Sequence, residues 1–387
     1  MQGGLGVRIH NRVLGVLVLA GLAAGFGLAF LTQAPNRLVT GTGIRWSEVL
    51  GGSRAAVLLP VLALLAGVFL PTSRRLLAMM ALAAMVLLVG WVALAGDTAT
   101  RIAASATPLA RTSLGGGFWV LCTLSALALA DALQRLQLRP VWRLVAGAAV
   151  LLPIAGLAAG GALDALSLLK EYRNRQDVFD AALLRHLQIV ACTLVPTLLI
   201  GVPLGLAAFR SAARARPLFA VLGLVQTVPS IALFGLLIGP LALLAAAAPS
   251  LGLSGIGLVP AVIALTLYSL LHVARSTVAG LGQVPAPVVE AATGMGLTRA
   301  QIFWKVQAPI ALPLLLSGLR VCTVQTIGMA VIAALIGAGG FGALMFQGLA
   351  SSALDLVLLG VIPVVALAVV ADAAFGALIT LTEVRST

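Results

Sequence analysis

The chain alternates long apolar runs with short polar breaks over almost its whole length. As helices, runs of this kind are long enough to cross the hydrocarbon core of a bilayer, where a helix satisfies its own backbone hydrogen bonds. We predict about ten spans, at residues 13–31, 55–70, 76–96, 117–134, 144–163, 184–208, 217–247, 259–277, 310–337 and 356–380. The pattern therefore predicts an all-α polytopic membrane protein with about ten transmembrane helices.

The most informative polar break runs from Pro285 to Pro313. Pro287 suits the first turn of a helix, and Gly296 can end that helix in a left-handed conformation. Thr298 and Gln301 form a capping-box signature, so a second helix is predicted to begin there. The first short helix carries an apolar stripe at helical spacing, formed by Val288, Ala291, Ala292 and Met295. The break predicts a helix-turn-helix elbow outside the bilayer. A polar loop between two spans that is simply helical would show the same residue pattern.

Composition and charge narrow the class of protein further. The 387 residues are 61% hydrophobic and 9% charged, more apolar than a soluble domain of this length requires. The net charge of +13 would suit a nucleic-acid-binding protein, but the basic residues are scattered over loops without interleaved aromatics, so no nucleic-acid partner is expected. Cys122, Cys192 and Cys322 lie inside apolar runs with no CxxC spacing, so we expect neither a disulfide framework nor a cysteine metal site.

The distribution of basic residues predicts the orientation in the membrane. With a cytoplasmic N-terminus, 14 of the 24 Lys and Arg residues fall on the inner side and nine on the outer side. The excess of positive charge then places both termini and the elbow in the cytoplasm. Residues 164–183 form an outer polar connecting segment between a five-span N-terminal extension, 1–163, and a C-terminal part, 184–382.

Few residues inside the predicted spans could carry chemistry. Arg320 and Asp372 are charges at similar depth, and an unpaired charge there costs about 2.5–3.5 kcal/mol on insertion scales, so we expect a pair between neighbouring helices. Such a pair would either fix helix register or act as a gate. Pro229 and Pro240 fall in the seventh predicted span and should kink or split it.

Nothing in the sequence indicates an enzyme. The three histidines, His10, His186 and His272, are far apart and suggest no metal site. The two lysines, Lys170 and Lys305, do not follow glycine-rich loops, so the chain is not expected to hold a phosphate-binding loop of its own.

The elbow resembles the EAA loop of ABC importer permeases, whose pattern is E-A-A, three residues, G, nine residues, then I-x-L-P. The matching residues are Glu290, Ala291, Ala292, Gly296, Val306 and Pro309, with Val306 and Ala308 standing where the family usually has Ile and Leu. The resemblance identifies 279–309 as a cytoplasmic coupling loop.

Other stretches extend the resemblance over residues 184–382. Residues 199–210, 226–237 and 336–349 look like the glycine betaine, carnitine and choline branch of these permeases. Tyr268 and residues 273–281 are similar to that branch too, but Ser276 replaces an expected Asn. The resemblance implies an ABC type I importer permease core preceded by extra N-terminal spans.

The resemblance also implies partners and a mechanism. The elbow would be a coupling helix that lies in a groove of a separate cytoplasmic ABC ATPase, which uses the ATP, so this chain would bind no cofactor itself. A second permease subunit, giving a homodimer, and an outer or periplasmic substrate-binding protein would complete the importer in the lipid of a bacterial inner membrane. The predicted cargo is a small osmoprotectant such as glycine betaine.

Two groups of residues are candidates for a gate or pathway in this scheme: Gln226, Pro229, Gly339 and Gly340. Simple turn formation would explain the two glycines equally well. Alternatives for the whole chain are a permease for another small solute such as an amino acid, a secondary transporter driven by an ion gradient, or a structural membrane scaffold. A secondary transporter would need a coupling-ion site near the midplane, for which Arg320 and Asp372 are poor material.

Overall fold

The structure is a computed structural model that describes residues 9–36, 39, 41–107, 109–138 and 140–383. The chain divides into two compact units, Met1–Asn174 and Arg175–Thr387. Helices make up most of both units, as the alternation of apolar runs and polar breaks predicts.

The first unit combines a helical bundle with a small sheet that the sequence did not lead us to expect. Its helices are α1 (Arg12–Gly27), α2 (Trp46–Val49), α3 (Leu59–Phe69), α4 (Arg74–Ser105), α5 (Gly116–Arg135), α6 (Pro140–Ala159) and α7 (Ser167–Asn174). The strands β1 (Leu31–Ala34), β2 (Thr42–Ile44) and β3 (Arg111–Leu114) form an antiparallel sheet in the order β2-β1-β3. Thr32 in β1 pairs with Gly43 in β2 and with Ser113 in β3.

Aromatic side chains fill the core of the first unit. Trp46 and Trp91 stack with ring centroids 5.4 Å apart, and Phe30 meets both Trp91 and Phe118 edge to face. Trp91 Nε1 donates a hydrogen bond to Ser125 Oγ at 3.2 Å, so this buried indole is satisfied. Burial of rings this large contributes strongly to the stability of the unit.

The second unit is wholly helical among its described residues. Its helices are α8 (Gln176–Arg210), α9 (Ala212–Thr227), α10 (Ser230–Ala247), α11 (Leu258–Gly282), α12 (Ala286–Gly294), α13 (Arg299–Ile302), α14 (Ala308–Met329), α15 (Phe341–Ala350) and α16 (Leu354–Glu383). A π-helical turn, Phe303–Gln307, joins α13 to α14, and a 3₁₀ helix, Ile332–Ile336, follows α14.

Helix α11 is the centre of the second unit, packed between α8 and α14. Two glycines bring α11 and α14 close together. A Cβ at Gly280 of α11 would lie 2.7 Å from the carbonyl oxygen of Ala311, and a Cβ at Gly318 of α14 would lie 2.2 Å from Ser276 Oγ. Small residues at such contacts allow the close helix approach that stabilises membrane bundles.

Nine helical stretches of the described chain are long and apolar enough to cross a membrane, which confirms a polytopic helical protein. They are 52–69, 74–105, 116–135, 141–159, 176–210, 230–247, 258–282, 299–329 and 354–382. The helix in the first predicted span, 13–31, is shorter than expected, since α1 has only 16 residues. It ends because the backbone becomes extended at Leu28, and strand β1 begins at Leu31.

Three other boundaries differ from the prediction. The seventh span, 217–247, consists of two helices that meet at Pro229, whereas Pro240 lies inside α10 without a break. In the ninth predicted span, 310–337, the α-helix ends at Met329, earlier than predicted. The short helix α15 was not predicted. Residues 164–183 contain α7 and the first turns of α8, which begins at Gln176 instead of Leu184.

Candidate functional site

The elbow has the helix-turn-helix form that its sequence predicts. Helix α12 has a proline in its first turn, and Gly296 follows its end with a φ of +79°. The Leu297 amide donates to the Ala292 carbonyl at 3.2 Å and the Gly296 amide to the Thr293 carbonyl at 2.9 Å. These two bonds are the Schellman arrangement, which satisfies the last carbonyls of a helix and needs a left-handed residue. The local sequence alone therefore determines this turn.

The second arm of the elbow starts with the predicted capping box. The Thr298 amide donates to Gln301 Oε1 at 2.8 Å, and the Gln301 amide donates back to Thr298 Oγ1 at 3.3 Å. From Arg299 to Met329 the chain then runs as one helical stretch of 31 residues. The capping box thus fixes the point at which the elbow joins the long helix that contains α14.

The apolar stripe of the elbow faces two ways. Ala292 is buried, and Ile302 of the second arm is buried with it. Val288 and Met295 are 40% and 73% exposed, and Glu290 and Ala291 are exposed as well. The inner part of the stripe therefore holds the elbow to its own chain, while the outer part remains uncovered.

Trp304 is a further exposed apolar residue of the elbow, which the sequence pattern did not single out as a functional residue. It is 71% exposed, although tryptophan is among the costlier side chains to leave in water. We call Val288, Met295 and Trp304 together the elbow face. A tryptophan inside the most polar interval of the C-terminal half was the signal that could have revealed it.

The last two motif residues lie where the elbow enters α14. Val306 belongs to the π-helical turn and is half-buried, and Pro309 is exposed at the start of α14. The six residues of the predicted coupling motif therefore span the two arms of the elbow and the junction behind it.

The structure brings Arg320 and Asp372 together. The Nε and one terminal nitrogen of Arg320 each donate to a carboxylate oxygen of Asp372, both at 2.5 Å. The contact is bidentate and joins α14 to α16. The two side chains remain 38% and 47% exposed.

The break between α9 and α10 is held by backbone and side-chain groups of α11. The Gln226 side-chain amide donates to the Tyr268 carbonyl oxygen at 2.9 Å and lies 3.3 Å from His272 Nδ1. The Tyr268 hydroxyl donates to the carbonyl oxygen of Val228, which is extended just before Pro229. These bonds replace helix bonds that Pro229, which lacks an N–H, interrupts.

Gly339 and Gly340 lie beside α8, whereas Gln226 bonds to α11. The predicted gate residues therefore fall into two groups that contact different helices. Both glycines have positive φ, +83° and +77°. Arg185 Nε donates to the neighbouring Ala338 carbonyl at 2.8 Å, and a Cβ on Gly340 would lie 3.2 Å from Nδ1 of the buried His186. The glycines thus form a tight turn against α8.

The fold and this site define a class: a multi-pass helical membrane protein that presents a capped elbow with an exposed apolar face. Residues 198–382 match the family described as "Binding-protein-dependent transport system inner membrane component". Residues 11–169 match the family described as "ABC transporter permease YehY, N-terminal domain". Both stretches therefore have known counterparts, and the second accounts for the extra N-terminal spans.

Two individual relatives, OsmW and OpuCB, agree with the family match. The osmoprotectant import permease protein OsmW of Salmonella typhimurium is 39% identical over 188 residues, which cover 49% of this chain and 84% of OsmW. The carnitine transport permease protein OpuCB of Listeria monocytogenes is 36% identical over 194 residues, covering 50% of this chain and 83% of OpuCB. A solved structure of the MetNI methionine ABC transporter in an inward-facing conformation aligns with a TM-score of 0.48 and 21% identity, covering 54% of this chain and 98% of that chain.

The chain belongs to the binding-protein-dependent transport permeases, the inner-membrane subunits of ABC importers. It is therefore a multi-pass permease of the inner membrane.

Proposed function

We propose that this chain is the translocation subunit of an ATP-driven importer for a small osmoprotectant such as glycine betaine. The elbow face carries the proposal, because its three large apolar side chains are exposed on an elbow whose other exposed residues are mostly polar or small, and such exposed apolar residues mark a site for a partner protein. The names of the relatives OsmW and OpuCB, which refer to osmoprotectants and carnitine, support the substrate class.

The partner for the elbow face is a separate cytoplasmic ABC ATPase. Glu290, Ala291 and Gly296 lie on the exposed side of the elbow, where Ala291 allows close approach and Gly296 sets the turn. Ala292 contributes differently from what its motif position alone suggested, because it is buried and anchors the elbow to its own chain. The chain itself binds no cofactor, and the ATPase hydrolyses the ATP.

We propose the remaining parts of the importer by analogy with other members of the family. Two copies of this chain form the pathway, an outer substrate-binding protein delivers the solute, and both termini of the chain are cytoplasmic. The breaks at Gln226–Pro229 and Gly339–Gly340 serve as points where the lining of the pathway moves. The Arg320–Asp372 pair keeps α14 and α16 in register during that movement.

The test is reconstitution of the chain with its ATPase and binding protein in proteoliposomes. Uptake of glycine betaine, proline betaine, carnitine, choline and amino acids is measured with and without ATP. We expect ATP-dependent uptake of one or more of the betaines, carnitine or choline. Uptake that needs an ion gradient and no ATP would overturn the proposal, and uptake of amino acids alone would overturn the substrate class.

A further inference from the structure

A π-helical turn joins the elbow to α14. The turn covers five residues, Phe303–Gln307, and the Ala308 amide donates to the Phe303 carbonyl, five residues back instead of four. Turns of this type are rare, occur singly inside α-helices and accommodate one extra residue. This one lies between the helices α12 and α13 of the elbow and α14, which carries Arg320, and it contains Trp304 of the elbow face.

Pro309 gives a local reason for the turn. Proline has no N–H, so the Lys305 carbonyl four residues back receives no α-helical bond, and the proline ring also crowds that carbonyl. A proline is not sufficient by itself, since other prolines lie inside uninterrupted α-helices. Examples are Pro196, Pro240, Pro313 and Pro363. A second constraint must act on residues 303–307.

The second constraint is that the helix is anchored on both sides of the turn. On the elbow side, Ile302 and Ala292 are buried. On the α14 side, Ala311 is buried against Gly280 at a distance that leaves no room for a Cβ on the glycine. Rotation of either anchor would lose packing, so the residues between them absorb the mismatch in phase while Pro309 withholds the α-helical bond that would favour a regular turn.

The phase mismatch can be calculated. Ala311 lies nine positions after Ile302, and at 3.6 residues per turn an uninterrupted α-helix would place them about 180° apart around its axis. One extra residue absorbed in the π turn reduces the angle to about 80°. The turn therefore allows Ile302 and Ala311 to face the body of the same unit at the same time.

We propose that Pro309 is a positioning residue, which maintains the π turn and so sets the rotation of the elbow face relative to α14. Because Pro309 cannot donate an α-helical hydrogen bond to the Lys305 carbonyl, the turn stays wide. A movement of the elbow is therefore transmitted to α14 with a fixed rotation between the two. The proposal rests on the coupling function proposed above, because it assigns the residue that orients the surface on which the ATPase acts.

The experiment has a structural arm that needs no ATPase. Spin labels are attached to Thr293→Cys in α12 and Val321→Cys in α14, both exposed, in a chain whose native cysteines are replaced. Pro309→Ala should shift the distance between the labels by several ångströms, because the turn can close into an α-helix. Pro309→Ala combined with deletion of Lys305 should restore the original distance. Pro313→Ala, the matched control in regular α-helix, should leave the distance unchanged.

The functional arm uses the same variants, without labels, in the reconstituted importer. Uptake per ATP hydrolysed should fall by up to about a hundredfold in Pro309→Ala, the loss that misplacing a positioned group by about 1 Å can cause. It should recover with the added Lys305 deletion and be normal in Pro313→Ala.

Three results would overturn the proposal. They are an unchanged label distance in Pro309→Ala, a shifted distance with normal uptake per ATP, and a restored distance without recovered uptake. Failure of the wild-type chain to show ATP-dependent uptake would instead reject the coupling function and leave the structural arm interpretable.

Discussion

Arg320 donates two hydrogen bonds to the carboxylate of Asp372 and so ties α14 to α16. The two residues are 52 positions apart in the chain, yet the contact is bidentate. Both side chains remain more than one-third exposed, on helical stretches long and apolar enough to cross a membrane, where an unpaired charge is costly. Each residue therefore depends on the other for its charge to be tolerated there.

Reversing either charge should destabilise the second unit, and exchanging both should restore it. Arg320→Asp or Asp372→Arg alone loses charged hydrogen bonds worth about 1.5–3 kcal/mol, with the lower end expected because the pair is partly exposed. Thermal unfolding of the purified permease in detergent measures the loss, and the double exchange is the control. A double variant as unstable as the singles would show that the pair does not act as a unit.

Removing the Tyr268 hydroxyl should loosen the break between α9 and α10. Tyr268→Phe keeps the ring but leaves the Val228 carbonyl without its partner, a loss of about 1 kcal/mol. Amide hydrogen exchange over residues 228–233 should become faster. Thr227→Val is the matched control, because its hydroxyl bonds only to Leu224 within α9. Equal exchange in the two variants would show that α11 does not hold the break.

The two glycines at the end of α12 provide a matched pair. A Cβ at Gly294 or Gly296 would meet no neighbour, but only Gly296 has positive φ. Gly296→Ala should cost about 1–2 kcal/mol in the left-handed conformation, whereas Gly294→Ala should stabilise α12 by up to about 1 kcal/mol. Limited proteolysis at the elbow and uptake per ATP check both. If the two variants behaved alike, the left-handed turn would have no part in coupling.

The elbow could be predicted from the sequence because its determinants are local. The capping box lies within four residues and the Schellman turn within six, so propensity and position suffice. The spans were predictable for a similar reason, since length and hydropathy decide whether a helix can cross the membrane. Pro229 likewise marked the place where α9 ends.

Other features depend on contacts between distant parts of the chain, which a pattern does not contain. The π turn reconciles the packing of Ile302 with that of Ala311, and only the structure shows both to be anchored. The sheet requires β3, some 80 residues away, to pair with β1. The exposure of Trp304 also depends on tertiary packing. Three large apolar residues stand in a row, and the fold buries Ile302, half-buries Phe303 and leaves Trp304 exposed.

The affinity of the ATPase subunit for the permease in lipid nanodiscs tests the central claim most directly. Trp304→Ala removes the largest side chain of the elbow face, and Trp142→Ala removes a similarly exposed tryptophan from α6 as the control. If the elbow face is the docking surface, Trp304→Ala weakens binding by about 2 kcal/mol, roughly thirtyfold, and Trp142→Ala leaves it unchanged. Equal affinity for the wild type and Trp304→Ala would contradict the account.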